Sequence, residues 1–290
     1  MTYYVKTDDP TFTKELKAEL EDHGLTESSD FPVDLVFVSG KHAYYKNHID
    51  LKKSRLTNTV HPLHITNKYY LSNAFKDQPF ILDTQLIKQI PDSDETFLKI
   101  LKPTNGYSGE GISIVTNYSE VQDWIEQHDY MGWILQDYIR SPALKNGYKF
   151  HLRVPILVVK SNIYVCTRSP YYLAEAKYTE SDWGNTDIHD THYKSGKQIY
   201  YPDELPDGWK RKTDIFKMFE VVFKGLKLKP DWGGKNPYYL FGADVMFDKR
   251  KPILLEVNEK IGLKDMEFVI PGMVSILLGK DHPDFIKMEL

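Results

Sequence analysis

Asp244, Glu256 and Asn258 lie in one stretch, Tyr239 to Leu263, that reads YLFGADVMFDKRKPILLEVNEKIGL. Two apolar, strand-prone runs, Leu240 to Phe247 and Pro252 to Val257, flank the polar Asp248-Lys249-Arg250-Lys251, which predicts a β-hairpin. Side chains alternate along a strand, so Gly242, Asp244 and Met246 share a face, as do Leu254, Glu256 and Asn258. A turn at Lys249–Arg250 sets Asp244 opposite Glu256 and Gly242 opposite Asn258. Opposed residues stand about 4.5–5.5 Å apart at Cβ. Carboxylates that close need a cation between them, or one must hold a proton. With the amide oxygen of Asn258 they make an all-oxygen set suited to Mg²⁺ shared with nucleotide phosphates. The plainer reading is two solvent-facing acids on an ordinary hairpin.

Other residues bear on the choice. In Lys149 to Val159, Phe150, Leu152, Val154, Ile156 and Val158 form an apolar face, with Lys149, His151 and Arg153 on the other. Cations in a row on a buried strand call for anions, and the fork of Arg153 suits phosphate. On the next strand, Asn162 to Ser169, Arg168 is placed to join the cluster. Lys102-Pro103 ends a strand from Phe97 and leads into Thr104-Asn105-Gly106-Tyr107-Ser108-Gly109-Glu110-Gly111. Gly106, Gly109 and Gly111 let backbone N–H groups approach phosphates, although no GK[ST] follows as in a P-loop. The strand Trp133 to Ile139 carries Gln136 and Asp137 and offers backbone groups to an adenine edge. His61-His64 and His189-His192 lack any supporting zinc spacing.

The elements that must position these residues follow from pattern. Tyr3 to Lys6 and Asp34 to Ser39 are strands around a helix capped by Asp9-Pro10, with Phe12, Leu16 and Leu20 inward and Gly24 at its end. Thr66 to Phe75 reads as a helix capped by Thr66, and Thr84 to Ile90 as one or two helical turns. Asn117 to His128 is a helix with a Ser119–Gln122 capping box and a stripe of Val121, Trp124 and Ile125. Residues 174–208 are polar and irregular, which fits a functional loop. Lys212 to Gly225 is an amphipathic helix, and a helix or two around Met273 to Leu278 closes the domain. Two segments, 41–68 and 210–229, each carry net +5.

The 290 residues suffice for two or three lobes with a real core. A net charge of −4 gives no global case for nucleic acid or membrane, and a single cysteine, Cys166, excludes an internal disulfide. No run approaches a membrane span or a signal peptide, so a cytoplasmic protein is expected.

Four blocks in this order resemble the tubulin tyrosine ligase-like family of the ATP-grasp superfamily. They are Lys102-Pro103 with its glycine loop; Ile134-Leu135-Gln136-Asp137-Tyr138-Ile139, Ser141-Pro142 and Lys149-Phe150-His151-Leu152-Arg153; Phe241-Gly242-Ala243-Asp244; and Leu255-Glu256-Val257-Asn258. The resemblance implies an α+β ATP-grasp fold, with an N-terminal lobe (1–60), a central lobe (61–135) and a C-terminal lobe (136–290) around ATP. It implies an ATP-dependent carboxylate–amine ligase that joins an amino acid to a protein tail such as tubulin through an acylphosphate. Asp244, Glu256 and Asn258 would hold Mg²⁺. Lys102 and Lys149 would contact the nucleotide, Gln136, Tyr138 and His151 would line its pocket, and Lys68 would reach it. Arg153 and Arg168 would stabilise the transferring phosphoryl or the acceptor carboxylate, and Glu256 would be catalytic with them. The family usually has Lys-Phe-Asp-Leu-Arg where this chain has His151, and His-x-Thr-Asn where it has His189-Asp190-Thr191-His192. A small residue and Pro often follow the asparagine; here Glu259-Lys260-Ile261-Gly262 do. Two alternatives stay open: a ligase of small amino acids or peptides, and a nucleotide-binding protein without ligation.

Overall fold

The structure is a computed structural model that describes residues 1–39, 54–58, 64–88, 93–105, 109–128, 132–160, 162–192, 199–200, 212–226, 237–258, 261–263 and 266–288. The elements in chain order are β1 (Thr2–Lys6), α1 (Pro10–Asp22), β2 (Thr26–Glu27), β3 (Leu35–Val38), β4 (Leu56–Asn58), α2 (Lys68–Ala74), β5 (Thr84–Ile87), β6 (Thr96–Pro103), β7 (Ser113–Asn117), α3 (Tyr118–Gln127), β8 (Trp133–Asp137), β9 (Leu144–Lys145), β10 (Tyr148–Val159), β11 (Asn162–Cys166), β12 (Tyr171–Lys177), α4 (Thr186–His189), β13 (Ile199–Tyr200), α5 (Lys212–Leu226), β14 (Pro237–Asp248), β15 (Lys251–Asn258), α6 (Ile270–Leu277) and β16 (Phe285–Lys287). The class is α+β, as expected.

The strands form two sheets among the described residues. The larger runs β13-β12-β10-β14-β4-β3-β1-β2, with β9, β11, β15 and β16 paired off that path. Its N-terminal part is parallel, and the strands around β10 are antiparallel. Strands β1 to β4 and the C-terminal strands share this sheet through the parallel pairing of β4 with β14. The smaller sheet, β5-β8-β6-β7, is antiparallel.

The large sheet is covered on both faces. Phe150, Leu152, Val154, Ile156 and Val158 form the expected apolar face of β10 and pack with Ile215, Phe219, Val222 and Phe223 of α5. On the other side Leu157 and Val159 join Phe12, Leu16 and Leu20 of α1 and Met273 and Val274 of α6. Burying each such side chain stabilises the fold by about 1.5–3 kcal/mol. Asp9 caps α1 by accepting from the Phe12 N–H at 2.8 Å, and Gly24 ends it at φ 77°, as the sequence predicts. Among the described residues no helix is long and apolar enough to cross a membrane.

Four local expectations are corrected. Residues 84–87 are a strand, not helical turns, because pairing with β8 outweighs a short local preference. Asn67, not Thr66, caps α2; its side chain accepts from the Tyr69 and Tyr70 N–H groups at 3.1 Å. The capping box of α3 is Asn117 with Glu120 rather than Ser119 with Gln122. Asn117 accepts from the Glu120 N–H at 2.9 Å, and the Glu120 carboxylate reaches back to the Thr116 N–H at 2.7 Å. The segment from residue 174 is ordered further than expected, since β12 runs to Lys177 and α4 follows.

Candidate functional site

The hairpin has the register its turn predicts: Asp244 opposes Glu256, Gly242 opposes Asn258, and Lys249-Arg250 make the turn. Asp244 also pairs with Arg153 on β10. Three adjacent strands therefore set Arg153, Asp244 and Glu256 in a row. The expected face is corrected at one point. A register shift beside Asp244 sends Leu254 into the core with Val245 and turns Leu255 towards the cleft beside Glu256.

Asp244 and Glu256 face a cleft enclosing about 680 Å³, part of it open solvent, whereas Arg153 and Asn258 are not among its lining residues. Leu82, Ile100, Ile112, Ile139, Met246 and Leu255 supply apolar walls from both sheets. Lys68, Lys102, Gln136, Lys149, His151, Asp244 and Glu256, all named from sequence, line it too. Their charges are arranged unequally. Arg153 grips Asp244 with Nε to Oδ1 and Nη2 to Oδ2, both at 2.8 Å. Lys68, in the first turn of α2, reaches Glu256 at 2.9 Å. Lys102 has no carboxylate at ion-pair distance among the described residues and donates to Gln136 Oε1 at 2.9 Å. Lys149 donates to the Tyr138 hydroxyl at 3.1 Å and lies 4.4 Å from the centre of that ring.

Burial pushes Lys102 down to about 8, helped by the charge on Lys68. Burial pushes Lys149 down to about 7, with only the charge of Asp190 opposing. Burial also pushes both carboxyls of the hairpin up. For Glu256 the charge of Lys68, the amide of Asn258 and Lys102 outweigh it and hold the group well below the usual carboxylate range. For Asp244 burial prevails over Arg153, and Glu256 adds to the rise. The repelling pair is thus settled by two cations, and Asp244 is the member that protonates first. Asn258 Nδ2 donates to Glu256 at 2.9 Å and lies 3.4 Å from Asp244 Oδ2.

The segment 189–192 reaches the cleft and supplies residues that the sequence argument did not place there: His189, Asp190, Thr191 and His192. The His-x-Thr pattern was their only sequence signal. His189 Nδ1 bonds the Tyr138 hydroxyl at 2.9 Å, so Tyr138 stands behind Lys149 rather than on the cleft wall. His192 Nδ1 meets Asp190 Oδ1 at 2.7 Å. Gly109 sits against His192 at φ 74°, where a Cβ would come within 2.8 Å of the ring. Gly109→Ala is therefore expected to cost roughly 1–3 kcal/mol in a denaturant melt, from the left-handed backbone and the forced shift of His192.

Three expectations are placed differently. Arg168 does not join Arg153: its side chain is 52% exposed, pairs with Asp284 at 3.6 Å and lies over Phe268. The strand ends at Cys166, so alternation no longer fixes where Arg168 points. Gly111 adopts φ 70° but is outside the cleft lining, whereas Gly109 lines a small side cleft with Lys68, Lys102 and Glu256. Gly106 lies outside the described residues, as do residues 41–53 of the first basic segment and 210–211 and 227–229 of the second.

A family profile decides the relationship: that of the tubulin-tyrosine ligase family matches residues 39–220, more than half of the chain. The chain belongs to the tubulin-tyrosine ligase family. It is 27% identical over 213 residues to the mouse tubulin polyglutamylase TTLL7, covering 59% of this chain and 23% of that protein. A probable tubulin polyglutamylase of Caenorhabditis elegans, ttll-9, is 25% identical over 187 residues (55% of this chain, 45% of that one). The human tubulin monoglutamylase TTLL4 is 27% identical over 224 residues (64% and 18%). The chain spans less than half the length of these relatives.

The hairpin fits a divalent metal as an open set. Two carboxylates converge there, Asn258 turns its Nδ2 towards both and would offer its oxygen only with the amide turned over, and among the described residues no three His, Cys, Asp or Glu side chains form a group that could hold a metal ion. Open sets of few oxygens are how Mg²⁺ is held when phosphates and water complete its octahedron.

Proposed function

We propose that this chain is an ATP-dependent carboxylate–amine ligase with an ATP-grasp cleft, which extends an acidic protein tail, tubulin's foremost, by an amino acid. The observation that carries the reading is the convergence of Lys102 and Lys149 from different sheets on one cleft, both buried and neither paired with a carboxylate among the described residues. Two such cations have a purpose when a polyanion enters. The apolar walls suit a planar base, and Gln136, held by Thr84 at 2.8 Å, sits beside Lys102. Glutamate is the first amino acid to test, since the relatives above are named glutamylases.

In this chemistry a tail carboxylate oxygen bonds to the γ-phosphorus of ATP and the bond to ADP breaks. The amine of the incoming amino acid then bonds to the acyl carbon, phosphate leaves, and the nitrogen gives up a proton. A divalent metal at Asp244, Glu256 and Asn258 would supply neutralisation of phosphate charge. Lys102 and Lys149 would hold the phosphates, and Lys68 and Arg153 would keep the two carboxylates ionised and aimed. Such transfer depends mostly on positioning and charge. A nucleotide-binding role without ligation is the second reading, and the neutral His151 in the cleft favours it.

Thermal shift tests the site. At about 100 times its Kd, a non-hydrolysable ATP analogue with Mg²⁺ should stabilise the folded state by about 2.7 kcal/mol. Glu256→Gln should lose the Mg²⁺-dependent part while folding normally. No response of the wild type at millimolar nucleotide would end the ligase reading. Transfer of labelled glutamate into tubulin tails separates ligation from binding alone.

A further inference from the structure

The ring of His151 is fixed on two sides and unsatisfied on a third. Its side chain is buried, at 4% exposure. Nδ1 meets Thr191 Oγ1 at 2.7 Å, and the ring lies flat on Tyr172 with centroids 5.0 Å apart and planes 6° from parallel. Nε2 is buried without a hydrogen-bond partner among the described residues. It stands 3.9 Å from Asp244 Oδ1. That is too long for a hydrogen bond. It is a suitable spacing for two atoms on either side of one cation, each roughly 2.1 Å from it.

We infer that His151 Nε2 is a direct ligand of a divalent metal shared with Asp244, so that this cleft prefers manganese to magnesium. The inference rests on reading the hairpin as a metal site, and it adds a nitrogen to a set otherwise made of oxygens. With Nδ1–H donating to Thr191, the lone pair of Nε2 faces Asp244. Pinning the far nitrogen in this way is what orients metal-ligating histidines. Arg153 does not exclude the arrangement, because each oxygen of Asp244 keeps a second lone pair. Water and substrate oxygens complete the shell. Imidazole nitrogen raises affinity for transition metals, whereas Mg²⁺ gains little from it.

The test titrates Mn²⁺ into the full chain without nucleotide, with histidine ¹⁵N-labelled, and reads binding and nitrogen coupling by continuous-wave and pulsed electron paramagnetic resonance. Wild type should bind a single Mn²⁺ with coupling to a histidine nitrogen, at least about tenfold more tightly than Mg²⁺ in competition. His151→Asp should still bind metal, lose the coupling, and shrink the preference several-fold. His192→Asn, with its ring 5.9 Å from that of His151, should keep the coupling. A wild-type spectrum without nitrogen coupling overturns the inference and needs no variant. Coupling that survives His151→Asp overturns it as well. Coupling without a thermal response to ATP analogue would keep this inference and remove the nucleotide; a response without coupling would do the reverse.

Discussion

Replacing Arg153 with methionine is expected to lower folding stability by roughly 3–5 kcal/mol, read as a fall in the urea midpoint at unchanged slope. The loss comes chiefly from what is left behind. Asp244 has a side chain only 3% exposed, and both its oxygens are satisfied by the guanidinium at 2.8 Å. Without that fork the carboxylate faces Glu256 across the hairpin with no cation of its own. Contact with the Tyr172 ring, 5.2 Å from the guanidinium carbon, is lost as well. The sign of the pH dependence follows. A carboxyl whose folded pKa is raised binds more protons when folded, so its burden eases as pH falls. Burial already pushes Asp244 up, and removing Arg153 pushes it further. The deficit of Arg153→Met should therefore shrink towards acid pH. Adding Asp244→Asn should recover part of it at neutral pH, since an amide needs no counter-charge. A loss below about 1 kcal/mol would mean that Asp244 is satisfied by something other than Arg153.

The row that Arg153 belongs to was legible in part. Turn chemistry and strand alternation located the hairpin, its register and the facing of Asp244 and Glu256, because those depend on neighbours in sequence. Alternation also put Lys149, His151 and Arg153 on one face. It could not say that the anion meeting Arg153 is Asp244, since that pairing joins strands 91 residues apart. Nor could it foresee the bulge that turns Leu255 to the cleft, as Leu254 and Leu255 are chemically alike. Arg168 shows the limit of counting by twos: the count holds only while the strand lasts. The segment 189–192 was missed as cleft lining because its place is set by tertiary contacts such as His189 with Tyr138, and no local periodicity reports those.

Lys149 gives the other large effect, and it has opposite signs in the free and bound protein. The nucleotide-free chain should become more stable as pH rises from about 7, whereas its affinity for nucleotide should fall. In the unfolded chain Lys149 keeps its proton up to its ordinary 10.5; in the fold it sheds it near 7. Between those values the unfolded state binds more protons, so stability climbs with pH. The full gain is at most on the order of 4 kcal/mol. Lys102, lowered to about 8, adds to the upper part of the window. A polyanion in the cleft restores the proton to Lys149, so each binding event above pH 7 takes one up. Affinity then falls by up to about tenfold per pH unit. Melts at about pH 6.5, 8 and 9.5, with and without ATP analogue, should show the two trends cross. Calorimetry in buffers of different ionisation heat should register the proton uptake. The range stops there because the phenols of Tyr138 and Tyr238, pushed up by burial, act in the other direction above about pH 10. Lys149→Met should flatten both trends and weaken nucleotide binding near neutral pH. If wild-type stability is flat across the window, Lys149 stays charged in the free protein. The cleft would then hold an anion of its own before any nucleotide arrives.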